Sequence, residues 1–174
     1  YNKGQSESNT FKSIFESFVT DRRKKASEYV DKVIKSYKEL LPVAEDNAIM
    51  LGVENRFYYR EIPFLLEFEA ILDTFKSGLI GYWHDVGHAF ILEKLGFMPE
   101  GSLLQKFGKR LIGIHIHNIK DMVDHQAPVN GEFDLKKILP YIKKDTIKII
   151  EMSRHIPGEL IKKSHGYLKE LLND

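Results

Sequence analysis

The chain has 174 residues, of which 43% are hydrophobic and 29% charged, a composition typical of a globular domain and not of a disordered chain. Its 26 Lys and Arg against 25 Asp and Glu give a net charge of +1, so the basic excess expected of a nucleic-acid-binding domain is missing. The absence of cysteine excludes disulfides, thiolate metal sites and cysteine nucleophiles, and is compatible with a reducing cytoplasm. No apolar run approaches the ~20 residues of a membrane span and no signal peptide is visible. We therefore expect a cytoplasmic protein without a membrane partner.

The predicted elements alternate between helical stretches and short apolar runs. Residues 9–44 have apolar side chains at helical spacing, with possible N-caps at Ser8, Asn9 and Thr10 and an end marked by Pro42. This pattern predicts two helices or one long kinked helix. The four apolar runs predicted as buried strands are 48–53, 78–83, 111–116 and 146–150. The other predicted helices are 62–75, 87–95, 100–108, 134–142 and 157–172, with a long loop at 117–133. Such alternation predicts βαβ units and a parallel sheet.

Each predicted strand ends in side chains that can bind a metal ion. In chain order these are Glu54, His84 with Asp85, His115 with His117, and Glu151. Sites in parallel α/β folds collect at the carboxyl ends of the strands, because the loops there converge on one point. A set of carboxylates and imidazoles suits a divalent ion such as Mn, Mg, Co or Zn, and the lack of thiolates disfavours a structural zinc site. We interpret the coincidence as one metal site.

Each of these groups also has a structural explanation when taken alone. A carboxylate after a strand often caps a helix, and a strand histidine is often a hydrogen-bonded packing residue. His115 and His117 face the same side of a strand, so the deeper His115 is the one we assign to the metal. Asp85 and His88 could face one pocket, or Asp85 could cap the next helix and leave His88 exposed. His125 could reach back over the site from its polar loop, or simply lie on the surface.

Five segments carry a resemblance to a known family through their order and spacing. They are GVENRFYYREIP, GYWHDVGH, IGIHIHN, DHQAPVNGEFD and IIEMSR. Together they resemble the sugar phosphate isomerase/epimerase group of the xylose isomerase-like TIM barrel superfamily, which also contains the apurinic endonucleases. The resemblance implies an α/β fold in which residues 1–174 form a single partial domain, the C-terminal part of the barrel with about four βα units. A full barrel takes ~200 or more residues and eight strands. We therefore expect a longer parent protein or pairing with another copy, and Tyr1–Gly4 would be the tail of a preceding strand.

The resemblance also implies roles for individual residues. The metal ligands would be Glu54, Asp85, His115 and Glu151. Glu54 and Glu151 would act as the acid/base pair, with His88 beside the substrate and counted among the catalytic residues. The predicted substrate-binding residues are His88, His117 and His125.

Three positions depart from the family pattern. Asn118 replaces an Asp after the His-x-His, and Val129 replaces the first Gly of a Gly-x-Gly. In the endonucleases an Asp two residues before the loop histidine binds a zinc ion, and here that position is Val123. Val123 cannot bind a metal ion, and the chain lacks the basic excess needed for phosphate contacts, so a three-zinc endonuclease is disfavoured.

The sequence therefore predicts a divalent-metal-dependent isomerase or epimerase that acts on a small sugar or sugar phosphate through proton transfer alpha to a carbonyl. The alternatives are a metal-dependent abasic-site endonuclease of the same superfamily, a related dehydratase or lyase, and a non-catalytic half-barrel module. The expected partners are a sugar-like small molecule and either another copy or the missing N-terminal half, with nucleic acid disfavoured.

Overall fold

The computed structural model describes residues 8–172, which form a four-stranded parallel sheet with helices and a small antiparallel hairpin. The α-helices are α1 (Asn9–Asp46), α2 (Leu65–Thr74), α3 (Val86–Lys94), α4 (Ser102–Phe107) and α5 (Gly158–Leu172). The strands are β1 (Leu51–Glu54), β2 (Ile80–Asp85), β3 (Leu111–Ile116), β4 (Asn118–Lys120), β5 (Val123–Gln126) and β6 (Ile147–Ile150). Two 3₁₀-helices, Gly108–Arg110 and Leu135–Tyr141, complete the elements. Tyr1–Gly4, predicted as the tail of a strand, lie outside the described residues.

The first helix is continuous, so the single-helix alternative is the correct one. Its N-terminus is capped by the Ser8 side chain, which accepts a hydrogen bond from the backbone N–H of Phe11 at 3.1 Å. Pro42 lies inside the last turns of the helix and does not end it at once. The buried Arg22 of α1 forms an ion pair with Glu67 of α2, which ties the long helix to the first βα unit.

The sheet has the strand order β1-β2-β3-β6, and every neighbouring pair is parallel. All four predicted strands are confirmed, with ends that differ by up to three residues from the predicted ones. The register places Glu54 opposite Trp83 and Asp85 opposite His115. The carboxyl ends of the strands therefore lie side by side at one edge of the sheet. This confirms the α/β class with a parallel sheet.

The two faces of the sheet differ in their covering. Val53, Tyr82 and Ile114, at most 2% exposed, point into the core that the helices cover. On the opposite face, which we call the inner face, Ile147 and Ile149 of β6 remain 47% and 42% exposed. The inner face is therefore the open side of the sheet in the part of the chain described.

Glycine makes room for the one large side chain in the middle of the inner face. The ring of Trp83 fills the space beside Gly113, where an added Cβ would come within 2.2 Å of ring atom Cζ3. On the other side of Trp83, Gly52 of β1 also leaves space, since an added Cβ there would lie 3.1 Å from the Trp83 ring. A side chain at position 113 would displace the ring.

Of the predicted long loop at 117–133, residues 127–133 are loop, whereas the prediction is wrong for residues 118–126. Strands β4 and β5 form an antiparallel hairpin there, with Lys120 paired to Val123. Both residues of its tight turn, Asp121 and Met122, have positive φ angles of 52° and 63°. Turns of this kind usually use Asn-Gly, so the sequence Asp-Met carries little signal for one. The predicted helix at 134–142 is a 3₁₀-helix, Leu135–Tyr141, that contains Pro140.

The helices of residues 8–172 include none that is both long and apolar enough to cross a membrane.

Candidate metal centre

The four residues predicted as metal ligands come together at the carboxyl edge of the sheet. His115 lies at their centre, and its Nδ1 is 3.1 Å from Glu54 Oε1 and 3.4 Å from Asp85 Oδ2. The same nitrogen lies 2.8 Å from Oε2 of Glu151. Three carboxylates from three other strand ends therefore converge on one imidazole. Their role as ligands stays a prediction, although the geometry on which it depends is present.

The donor atoms fit a divalent cation. Although charged groups lie close to both, the buried atoms Asp85 Oδ2 and His115 Nδ1 make no hydrogen bond of acceptable geometry within residues 8–172. Leaving buried polar atoms without partners costs free energy, which a bound cation would recover. Ligand atoms of Glu54, Asp85 and His115 all lie within 4.8 Å of one another. Oxygen and nitrogen donors without sulfur suit Mn, Mg, Co or Zn.

Asp85 performs two tasks with its two carboxylate oxygens. Oδ1 accepts a hydrogen bond from the backbone N–H of His88 at 2.8 Å and so caps α3. Oδ2 is left for the metal centre. Burial by itself would raise the pKa of Asp85, but the rings of His115 and His117 outweigh burial and hold the pKa well below its usual range. The helix-cap and metal-ligand interpretations of Asp85 are therefore compatible.

The carboxylates around His115 also change its protonation. The Asp85 carboxylate raises the pKa of His115, and Glu151 and Glu54 add to the rise. A metal ion binds only the neutral imidazole, so an ion at this centre would have to displace the proton from Nδ1.

His117 lies beneath the centre and is not exposed at all. Its Nε2 accepts a hydrogen bond from the backbone N–H of Gly87 at 3.0 Å, and its Nδ1 donates to the backbone carbonyl of Glu151 at 3.1 Å. An added Cβ at Gly87 would lie 2.1 Å from that Nε2, so the contact depends on glycine. His117 thus joins β3, α3 and the end of β6. The structure does not bring it to the surface of the site, and its predicted contact with substrate is untested.

Asp124, for which the sequence predicted no role, lies next to the metal centre between His88 and His125. Oδ2 of Asp124 lies 3.0 Å from His125 Nδ1 and 3.7 Å from His88 Nε2. His125 Nε2 is in turn 3.3 Å from Glu151 Oε1, which connects the two groups. Asp124 was missed because its approach to His88 depends on the β4–β5 hairpin, which the sequence did not predict.

A second missed residue, Asn55, holds two strand ends together. Its side chain is 1% exposed and bonds both backbone groups of Asp85, accepting from the N–H at 2.8 Å and donating to the carbonyl at 2.9 Å. The backbone carbonyl of Asn55 accepts a hydrogen bond from His88 Nδ1 at 3.0 Å. Asn55 therefore fixes the positions of Asp85 and His88 from the strand beside them.

His84, also noted at a strand end, lies outside the cluster. It is 3% exposed, and its Nδ1 is 2.6 Å from the hydroxyl of Tyr82. Burial lowers the pKa of His84 to about 3, so the ring stays neutral. Strand alternation explains the difference, because His84 and Asp85 point to opposite faces.

Asn118, which replaces an acid of the family pattern, anchors the loop that follows the hairpin. Its Nδ2 donates to the carbonyls of Pro128 and Phe133, both at 3.1 Å. Its Oδ1 accepts from the N–H of Phe133 at 3.0 Å. An ionised Asp could not donate to these two carbonyls, so the amide suits the position.

The chain belongs to the xylose isomerase-like TIM barrel family, whose sequence profile matches residues 13–171. Among solved structures it is similar to a D-tagatose 3-epimerase-like protein, with 25% sequence identity and a TM-score of 0.66. That likeness covers 84% of this chain and 55% of the other, so this chain spans about half the length of the relative. A search of curated proteins gave no match. The predicted fold class and the resemblance to the isomerase/epimerase group are confirmed.

Proposed function

We propose that this protein is a divalent-metal-dependent isomerase or epimerase that acts on a small sugar or sugar phosphate. The observation that carries the proposal is the convergence of Glu54, Asp85 and Glu151 on His115 Nδ1, at 3.1, 3.4 and 2.8 Å. The epimerase-like structural relative supports the same type of reaction. The carboxyl edge of a barrel sheet is also where active sites of this fold lie.

The four residues differ in exposure, and the difference suggests separate tasks. The side chain of Asp85 is fully buried, whereas those of Glu54 and Glu151 are 28% and 41% exposed. Asp85 can therefore hold the ion from below, while the two glutamates also reach the space where a substrate would lie. A divalent ion held by these four residues would supply positive charge that offsets the negative charge developing on the substrate during proton transfer.

The two glutamates flank His115 from opposite sides, one from β1 and one from the end of β6, as an acid/base pair requires. One carboxylate would remove the proton from the carbon alpha to the carbonyl and become protonated. The other, already protonated, would deliver its proton to the opposite face of the same carbon. The products then have the composition of the substrate and an inverted centre. His88 and His125 would hydrogen-bond the hydroxyl groups of the sugar.

The test is exchange of the alpha hydrogen together with turnover. Wild-type protein, saturated with Mn²⁺, is incubated with a panel of ketoses and aldoses in D₂O. We expect deuterium at the alpha carbon of the epimerised product, and a loss of about 10²-fold or more in rate for Glu54→Gln and Glu151→Gln. Glu159→Gln, an exposed carboxylate on α5, is the matched control and should keep the rate. Normal rates in both site variants would refute the proposal.

The pocket also requires walls that the described residues do not provide. Strands β1 and β6 lie at the two edges of the sheet, and Ile147 and Ile149 leave the inner face open. We therefore include in the proposal that a second copy or an N-terminal half covers this face. Light scattering on the purified protein, with its intact mass, distinguishes the two.

A metal-dependent abasic-site endonuclease is the second candidate, and one observation favours it. Val123 cannot bind a metal ion, but the next residue, Asp124, places a carboxylate between His88 and His125. Cleavage of an abasic duplex by wild-type protein, lost in Asp124→Asn, would support this candidate. A cleaved duplex without any sugar epimerisation would replace the first proposal.

A further inference from the structure

A second cavity lies on the helix-covered side of the sheet, away from the metal centre. Its volume is about 330 Å³, and it is bounded by α3, α4 and the 3₁₀-helix Leu135–Tyr141. None of the four predicted metal ligands lines it. A cavity of this size accommodates a small organic ligand.

One wall of the cavity carries a hydrogen-bond acceptor to which no described residue donates. The Tyr82 hydroxyl donates to Asn55 Oδ1 at 3.1 Å, so at its 2.6 Å contact with His84 it accepts from Nδ1–H. The lone pair of His84 Nε2 is then left over, and nothing in residues 8–172 donates a hydrogen bond to it. His84 is 3% exposed and lines the cavity. An acceptor that faces a cavity without a protein donor can accept a hydrogen bond from a ligand that brings one.

Glu93 adds a second free acceptor. Its Oε1 accepts a hydrogen bond from the backbone N–H of Gly101 at 2.7 Å, while no described residue donates to Oε2. The lysine that lines the cavity, Lys137, is held by an ion pair with Glu100. The cavity therefore contains two acceptors to which no described residue donates, and the ammonium group of Lys137 is already paired.

Aromatic rings form the apolar wall. Phe90 and Phe133 meet edge to face with their centroids 5.5 Å apart, and Tyr141 also lines the space. Ring faces attract organic cations. From outside the cavity, Lys94 Nζ already lies 5.2 Å from the centre of the Phe90 ring, so a cation is tolerated against this wall.

We propose that this cavity binds a small organic ammonium ion, with its N–H groups directed to Glu93 and His84 and its apolar body against Phe90 and Phe133. The two acceptors require a ligand that donates hydrogen bonds, and the Glu93 carboxylate favours one that is positively charged. The aromatic rings favour a ligand with an apolar body. The proposal is independent of the metal centre and of the reaction proposed above.

The probe is benzylammonium, and its neutral counterpart is benzyl alcohol. Both are titrated into the metal-free full chain at pH 8, where Glu93, whose pKa burial raises to about 7, is mostly ionised. Binding is followed by ¹H–¹⁵N NMR shifts. We expect saturable shifts of the residues around Phe90 with the ammonium ion, and at least tenfold weaker binding of the alcohol. Glu93→Gln should weaken binding of the ammonium ion tenfold or more, whereas Glu159→Gln should leave its affinity unchanged.

Three results would overturn the proposal. They are no saturable shift with benzylammonium, equal affinity for the alcohol, and unchanged affinity in Glu93→Gln. The comparison of the two probes on wild-type protein needs no variant, so it decides the question even if Glu93→Gln does not fold.

Discussion

Two histidines at the same end of the same sheet have opposite environments. His115, on the inner face, lies among three carboxylates that raise its pKa. His84, on the outer face, is buried against the Tyr82 hydroxyl, and burial lowers its pKa to about 3. On the inner face, carboxylates converge on His115, and a buried oxygen and a buried nitrogen make no hydrogen bond within residues 8–172. On the outer face, neutral groups bond one another and stabilise the fold. Neighbouring residues of one strand, such as His84 and Asp85, therefore face opposite ways, one into the supporting core and the other into the candidate site.

The largest expected effect tests whether the inner cluster is a metal site. Asp85→Asn should lower the affinity for Mn²⁺ at least 10²-fold, because the amide brings no negative charge to the centre. Equilibrium dialysis measures the affinity. Asp134→Asn is the matched control, since Asp134 also accepts a backbone N–H, from Lys136, but lies outside the cluster. Equal affinities in the two variants would show that the cluster is only structural.

The next prediction tests whether the hydrogen bonds of Asn55 hold Asp85 in place. Asn55→Ala removes both hydrogen bonds to the backbone of Asp85 and leaves buried groups unpaired. We expect the free energy of unfolding to fall by about 3 kcal/mol, measured by urea denaturation. Mn²⁺ affinity should fall as well, because Asp85 is no longer held in place. A variant with unchanged stability and normal Mn²⁺ affinity would show that Asn55 does not support the metal centre.

A third prediction concerns the packing of the inner face. Gly113→Ala would place a Cβ about 2.2 Å from Trp83 Cζ3, so the ring must move. We expect a loss of about 2 kcal/mol in the free energy of unfolding and a shifted tryptophan emission spectrum. Gly166→Ala on α5, where an added Cβ meets nothing within 4 Å, is the control and should be neutral or stabilising.

The last prediction concerns pH and His84. Its pKa is lowered in the folded protein, so the unfolded chain takes up the proton first as the pH falls. The stabilisation is complete above pH ~6.5 and is lost progressively towards pH ~3, about 2 kcal/mol of it between pH 7 and pH 5. His84→Gln should remove this part of the pH dependence of urea denaturation in metal-free protein. An unchanged slope would mean that His84 is not buried as described.

The strand ends and the side chains that cluster there could be predicted from the sequence, because both depend on local patterns. An apolar run followed by Glu54 or Asp85 already places a carboxylate at the edge of a parallel sheet. Asp124 and Asn55 could not be found this way. Asp124 depends on a hairpin whose turn, Asp121-Met122, lacks the usual residues, and Asn55 acts through contacts with the neighbouring strand. Their positions depend on tertiary structure.

The most direct test of the central claim uses the only tryptophan of the chain, Trp83, as a reporter. Its ring centroid lies 5.2 Å from that of His115, so a paramagnetic ion bound at the cluster should quench its fluorescence. Metal-free protein is titrated with Mn²⁺ or Co²⁺. We predict saturable quenching in the wild type and in His84→Gln, and none over the same range in His115→Ala. Quenching that is absent in the wild type, or equal in wild type and His115→Ala, would contradict a metal ion at this centre.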